Sequence, residues 1–510
     1  TIGQDGYART VFASSPQLGG GSLLYALELL HKDGPFTQPE NYRKANAVLR
    51  YSRGYANNGF SISAMAYRGN WNATDQVPQR AIDAGQLGSF DTVDPSDGGK
   101  AHRYSLSGTW RRTANESSSK ASVYVIRNQL DLYSNFTWFL VDPVNGDQFA
   151  QPDRRVTSGL NASHTWHLHA GLPASDLTLG VQLQNDNIFN GLYNTRERRR
   201  ISVTREDHVV ESSAGIYAEA HTRWNDTLRT VAGVRADGYR FDVRSNLAAN
   251  SGTAHASLAS PSLNVIFAPH PNTELYFNLG SGFHSNDARG TTAAIDPATG
   301  DAAARSPGLV RSRGMEAGLR HDWTPRLQTS LAIYRLTFDS ELTYLGDGGT
   351  TEAGLPSIRN GAELSNRFKP LPWLAVDADI AYARARSRGA APGQDRIAGA
   401  VEGVGQLMLA VEPRGAWSGA AGVRYAGPRP LTEDNSVRGG GSATLTARIG
   451  YKASSKLRFE LEGFNLGNRS DPAIAYYYAS RLKGEAEASE DVHFHPLEPR
   501  SFRFAAVMQW

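Results

Sequence analysis

The chain has no cysteine in 510 residues, which excludes disulfide frameworks, thiolate metal centres and cysteine nucleophiles. No apolar run approaches the ~18 residues a membrane helix needs, and mean hydropathy is −0.44. A helical membrane protein is thereby excluded, whereas a barrel is not, because its strands are only half apolar. Neither sign of charge dominates: 53 basic and 50 acidic residues leave +3, without the basic surplus of a nucleic-acid binder. No Gly-x-Ser-x-Gly elbow, His-Glu-x-x-His helix or phosphate loop occurs, so nothing points to an enzyme or a cofactor. The start, Thr1-Ile2-Gly3-Gln4, lacks the basic and apolar regions of a secretion signal.

Glycine (51) and aromatics (10%) are plentiful, as many strands and tight turns require. Period-two alternation dominates. Leu457, Phe459 and Leu461 oppose Lys456, Arg458, Glu460 and Glu462. Tyr124, Ile126, Leu130 and Leu132 oppose Arg127, Gln129 and Asp131. Leu374, Val376, Ala378, Ile380 and Tyr382 oppose Asp377 and Asp379, and Ala443 to Tyr451 repeats the pattern. Successive strand side chains point to opposite faces, so each stretch has an apolar and a polar side. A soluble all-β module would bury the apolar faces between sheets. Strands of 12 residues or more, repeated along the chain, argue instead for a barrel.

Connection lengths carry more information. The pattern gives about 21 strands, with short and long connections in turn. Short ones fall at 55–57, 224–226, 271–272, 324–326, 369–370, 413–415 and 454–455; long ones at 70–100, 189–206, 286–307, 428–440 and 467–496. Bacterial barrels show this asymmetry, with the turns in the periplasm and an even strand number. One further strand is therefore expected ahead of Thr1. Trp138, Phe139, Trp373, Trp417 and Trp510, near strand ends, suit an interfacial girdle.

Several motifs resemble the barrel of TonB-dependent outer-membrane receptors. They are Val423-Arg424-Tyr425-Ala426-Gly427-Pro428-Arg429-Pro430, Phe464-Asn465-Leu466-Gly467-Asn468-Arg469 and His493-Phe494-His495-Pro496. Gly282 to Arg289 and Arg313 to Arg320 fit as well, and the chain ends on a strand closing with Trp510. Gly467 departs from the family's usual bulky residue.

The resemblance implies an all-β, transmembrane antiparallel β-barrel over residues 1–510, with about 22 strands in the complete barrel and about 21 in this chain. It also implies a plug domain and a first strand outside this chain, since Gly6 to Thr10 already reads as the second strand. The function implied is capture of a scarce bulky nutrient, first of all a ferric siderophore or similar metal chelate, for TonB-energised uptake in a Gram-negative outer membrane. A passive porin-like channel is the alternative. Implied partners are outer-membrane lipid and lipopolysaccharide, TonB through the plug, the ligand, and the barrel-assembly machinery reading Phe502, Phe504, Met508 and Trp510.

Candidate ligand-binding residues lie in the long connections. Arg196, Arg198, Arg199 and Arg200 form a basic run suited to an anionic ligand, to lipopolysaccharide phosphates or to solvent alone. Trp71, Tyr476 and Tyr477, with Tyr478, offer aromatic surface for gripping a ligand or for packing. His284, Asp287 and Arg289 open another long loop. His493 and His495 would share a strand face, at a junction expected to be structural. His167 and His169 are expected on the lumen side near the short-turn rim, in contact with the plug.

Overall fold

The computed structural model describes all residues except 56, 169–172, 346–349 and 414, with backbone alone at 342–345 and 350–352. Successive strands pair antiparallel from Ala8–Ser14 round to Ser501–Met508. Ile2–Gly3 closes the ring: Ile2 pairs with Ala8 on one side and Phe504 on the other. Gln17–Leu18 prolongs Ala8–Ser14 against the same partner, so the 23 segments of the sheet form a closed barrel of 22 strands. The strand expected wholly ahead of Thr1 is thus represented within the chain by a two-residue segment. Beside it, Phe12 stacks on Trp510 across the closure with centroids 5.2 Å apart. Closure pairs backbone groups that would be costly to leave bare in hydrocarbon.

The outer face is apolar. Ile216, Ile333 and Ile380 are 64%, 59% and 60% exposed, so these faces are not buried between sheets and the soluble-module reading falls. Seven of the nine tryptophans (Trp110, Trp166, Trp224, Trp323, Trp373, Trp417 and Trp510) are exposed at or near the short-turn ends of strands, as a girdle requires. Trp138 is a correction: it lies in loop 135–148 and is 1% exposed. The turn expected at 369–370 falls at 372–373, because Ser357–Leu371 runs further.

The inner face is polar. Glu28 accepts hydrogen bonds from Arg9 Nε (2.7 Å), Lys44 Nζ (3.0 Å) and Asn46 Nδ2 (2.6 Å). Tyr124, Tyr217, Tyr276 and Tyr334 lie against Gly159, Gly180, Gly318 and Gly361 of adjacent strands, where an added Cβ would overlap each ring. This corrects the reading of Ser117–Ser134. Val123 and Val125 face outward, and Tyr124 faces inward to donate to Gln184 Oε1 at 3.1 Å. His167 also faces inward, with Nδ1 2.7 Å from Asp176 Oδ1, while His169 lies outside the described residues.

Ala174–Arg196 and Arg199–Arg223 are the longest strands, at 23 and 25 residues. A tilted strand crosses the hydrocarbon in about 10 residues, so more than half of this hairpin stands clear of it. The expected loop 189–206 is therefore an extended hairpin with a two-residue tip, Glu197-Arg198.

Candidate functional site

At the long-loop end the connections pack on one another. Val77–Pro78 pairs with Ser489–Pro496, which pairs with Pro472–Ser480, making a three-stranded sheet apart from the barrel. One of its faces is dry because Val77, Leu431, Ala475 and Phe494 form a core drawn from three loops. Arg80 ties the layers: Nε and Nη2 reach Glu485 at 2.9 and 2.8 Å, and its backbone N–H donates to Asp491 at 2.7 Å. The tyrosine run thus belongs to a strand. Tyr476 is exposed, Tyr477 donates to Glu490 at 3.3 Å, and Tyr478 stacks on His493 with centroids 3.8 Å apart.

His493 is fully buried between Tyr478 and Trp138, with Nε2 2.7 Å from Ser480 Oγ. Burial disfavours the imidazolium and lowers its pKa to about 4. His495 faces Phe36 and Thr74 instead. No metal-holding cluster of three His, Cys, Asp or Glu occurs among the described residues.

A second knot joins loops 73–97 and 135–148 to the tip of the long hairpin. Asp94 accepts from Asn135 Nδ2 (2.9 Å), Asp97 accepts from Gln148 Nε2 (3.0 Å), and Asp75 accepts from Asn135 N–H (3.1 Å). Burial pushes the Asp75 and Asp97 carboxyls up, and the charge of the other carboxylates raises Asp97 further. Arg198 locks the knot: Nε donates to Ser96 O (2.5 Å), and Nη2 to Asp97 O (2.8 Å) and Asn72 Oδ1 (3.1 Å). Glu197 and Arg198 hold φ of 50° and 63°, a left-handed turn that suits the twist of the hairpin but strains side-chain-bearing residues.

The third element is loop 286–308. Its one-turn helix Ala288–Thr292 places Ala288 on Ile188, Val209, Phe241 and Val243 of the inner wall. Arg289 chelates Asp287 through Nε (3.0 Å) and Nη2 (2.6 Å), and Asp207 pairs with Arg205 beneath them. His284 Nε2 and Asn286 Oδ1 are buried at the loop's base without hydrogen-bond partners.

The candidate residues are therefore distributed over the mouth. Asp287 and Arg289 meet; Arg198 is committed to structure; Arg196 and Arg199 remain exposed at the hairpin tip, and Arg200 lies over Tyr193 at 5.0 Å. Trp71 ends strand Gly59–Asn72, opposite Gly99, and is not a loop residue. Phe502, Phe504, Met508 and Trp510 are exposed on the last strand and just beyond its end. Sequence reasoning missed Arg205 and Asp207, although their i, i+2 spacing puts them on one strand face. It also missed Asp75 and Asp97, whose burial no local pattern signals.

Residues 32–466 match the family model described as TonB dependent receptor-like, beta-barrel. No curated protein matches the sequence. Among solved structures, the ferric-catecholate import receptor Fiu of E. coli K12, closed form, superposes with TM-score 0.79 at 15% identity, covering 100% of this chain and 80% of that one. The unliganded ferric citrate transporter FecA gives 0.79 at 13%, covering 99% and 76%. The siderophore receptor PiuA of Acinetobacter baumannii gives 0.80 at 12%, covering 99% and 80%. At such identities the superpositions establish the fold, while the family match spans most of the chain. The chain belongs to the family of TonB-dependent receptor-like β-barrels.

Proposed function

We propose that the protein is an outer-membrane receptor of a Gram-negative bacterium that captures a bulky metal chelate, first of all a ferric siderophore, for TonB-energised uptake. The observation that carries this reading is the ordered mouth. Loops 73–97, 135–148 and 465–500 are packed and cross-bonded, as a surface that selects a ligand needs to be. The names of the similar structures, receptors for ferric catecholate, ferric citrate and siderophore, support the same cargo class. Exposed Arg196 and Arg199 and the surface of Tyr476 are the capture residues we favour. His284, Asp287 and Arg289 shape the inner wall beneath them. Outer-membrane lipid meets the apolar belt, lipopolysaccharide meets the mouth, and the strand bearing Phe502, Phe504, Met508 and Trp510 is the segment read by the assembly machinery.

The test is uptake of radiolabelled iron by an iron-starved host lacking its own receptors. Uptake that requires both this gene and TonB supports the reading. Passage of small solutes at equal rates with and without TonB would instead make it a porin-like channel.

A further inference from the structure

Where loop 286–308 lies on the inner wall it encloses a cavity of about 220 Å³. Its lining includes Arg205 from the long hairpin and Asp287, Arg289, Asp296 and Arg305 from the loop. Three guanidiniums thus face two carboxylates, and the bonding is uneven as well. Both oxygens of Asp287 are held by Arg289, and Asp296 Oδ1 accepts from Ala298 N (2.7 Å) and Thr299 N (2.9 Å) within its own turn. The Arg205 side chain is 3% exposed and bonds Asp207 through Nε, yet its Nη2 has no hydrogen-bond partner. Arg305 has no ion pair or hydrogen bond among the described residues, and it stands in the same lining.

A guanidinium donates five N–H groups and accepts none. A buried donor without an acceptor is uncommon in folded proteins and marks a missing partner. Asp207 Oδ1, behind Arg205 and outside the lining, is also buried without a partner, but among the lining residues the atom left unpaired is a donor. Its volume lies below the ~300 Å³ at which pockets for drug-sized ligands begin. A bulky chelate does not fit inside, whereas a single phosphate or compact carboxylate does. Planar guanidinium forks match the oxygens of such groups.

We infer that this cavity is a binding site for a small oxyanion, phosphate or a compact carboxylate, held between Arg205 and Arg305, that fastens loop 286–308 to the inner wall. The group can arrive as a free anion or as part of a larger ligand, and the chemistry of recognition is the same.

The experiment is calorimetric titration of the detergent-purified chain with inorganic phosphate, citrate and ferric citrate at fixed low salt. Saturable binding of free phosphate or citrate identifies a free anion as sufficient; binding of ferric citrate alone identifies an oxyanion carried on a larger ligand. In either case Arg305→Ala, an exposed position that cannot unfold the barrel, weakens binding by about tenfold, the effect of losing one charge-assisted bond. Arg205→Lys keeps a charge beside Asp207 but removes the fork, and weakens binding similarly. Arg313→Ala, outside the cavity and paired with Asp339, leaves it unchanged. The inference is overturned if none of the three anions binds, or if binding is indifferent to Arg305→Ala and Arg205→Lys. Phosphate binding is read without reference to cargo, so the site can stand even if iron uptake fails.

Discussion

Arg198→Ala is expected to release the tip of the long hairpin while leaving the barrel intact. The guanidinium makes three hydrogen bonds, to Ser96 O, Asp97 O and Asn72 Oδ1, and lies 5.7 Å from the Tyr133 ring centroid. A hydrogen bond from a charged donor contributes about 1.5–3 kcal/mol when sheltered. Arg198 is exposed, so water replaces much of each bond and the summed loss is about 1–2 kcal/mol. Relief of left-handed strain does not offset this, because alanine at φ 63° is strained too. A shift of that size changes a local opening equilibrium by a factor of about 5–30. Hydrogen exchange of the purified protein reads it directly: amides in 94–98 and 145–148 should exchange faster by about that factor, with the barrel strands unchanged. Arg199→Ala is the control, since the Arg199 side chain has no hydrogen-bond partner among the described residues and only its backbone pairs, with Arg196. Unchanged exchange in Arg198→Ala, or equal effects from both variants, would refute the assignment of Arg198 to structure.

Further predictions concern the cap and the inner wall. The pKa of His493 is depressed from 6.5 to about 4 in the folded cap, so the stabilisation is present above pH 6.5 and lost as pH falls toward 4. The loss reaches about 3 kcal/mol, and exchange of 472–496 at pH 7 and pH 4.5 should differ accordingly; equal protection would count against a neutral buried imidazole. Trp138→Ala removes a ring that is 1% exposed and should cost the cap about 3–5 kcal/mol. Limited proteolysis should then cut loops 135–148 and 465–500 with the barrel still heat-resistant on a gel. Gly318→Ala pushes the Tyr276 ring off the wall, an overpacking expected to cost about 1–3 kcal/mol. Thermal melting in detergent measures it, and an unchanged midpoint would mean that the ring moves freely.

The barrel was legible in sequence wherever a strand met two different media. Leu457, Phe459 and Leu461 face outward as read, because hydrocarbon and a polar lumen impose a strict period of two. The reading inverted at Tyr124 because both faces of that strand carry apolar side chains: Val123 and Val125 outside, Tyr124 and Ile126 inside. It also lost the top of the long hairpin. Above the hydrocarbon both faces meet water, so alternation vanishes and strand resembles loop. The cap strand with Tyr476, Tyr477 and Tyr478 has no alternation at all, and its neighbour Ser489–Pro496 pairs with Val77–Pro78, joining segments about 400 residues apart. Of the candidate residues, the Asp287–Arg289 pair was legible as a local cluster. Arg205 was not, because its burial depends on a loop that folds back from far along the chain.

The central claim is that the mouth recognises a metal chelate. The most direct measurement is equilibrium binding of a panel of ferric catecholate, hydroxamate and hydroxycarboxylate chelates to the purified protein, followed by tryptophan fluorescence. The account predicts saturable binding of one class, weakened by Arg196→Ala with Arg199→Ala or by Tyr476→Ala. Absence of saturable binding across the panel, together with steady conductance of small ions through the protein in planar bilayers, would contradict it.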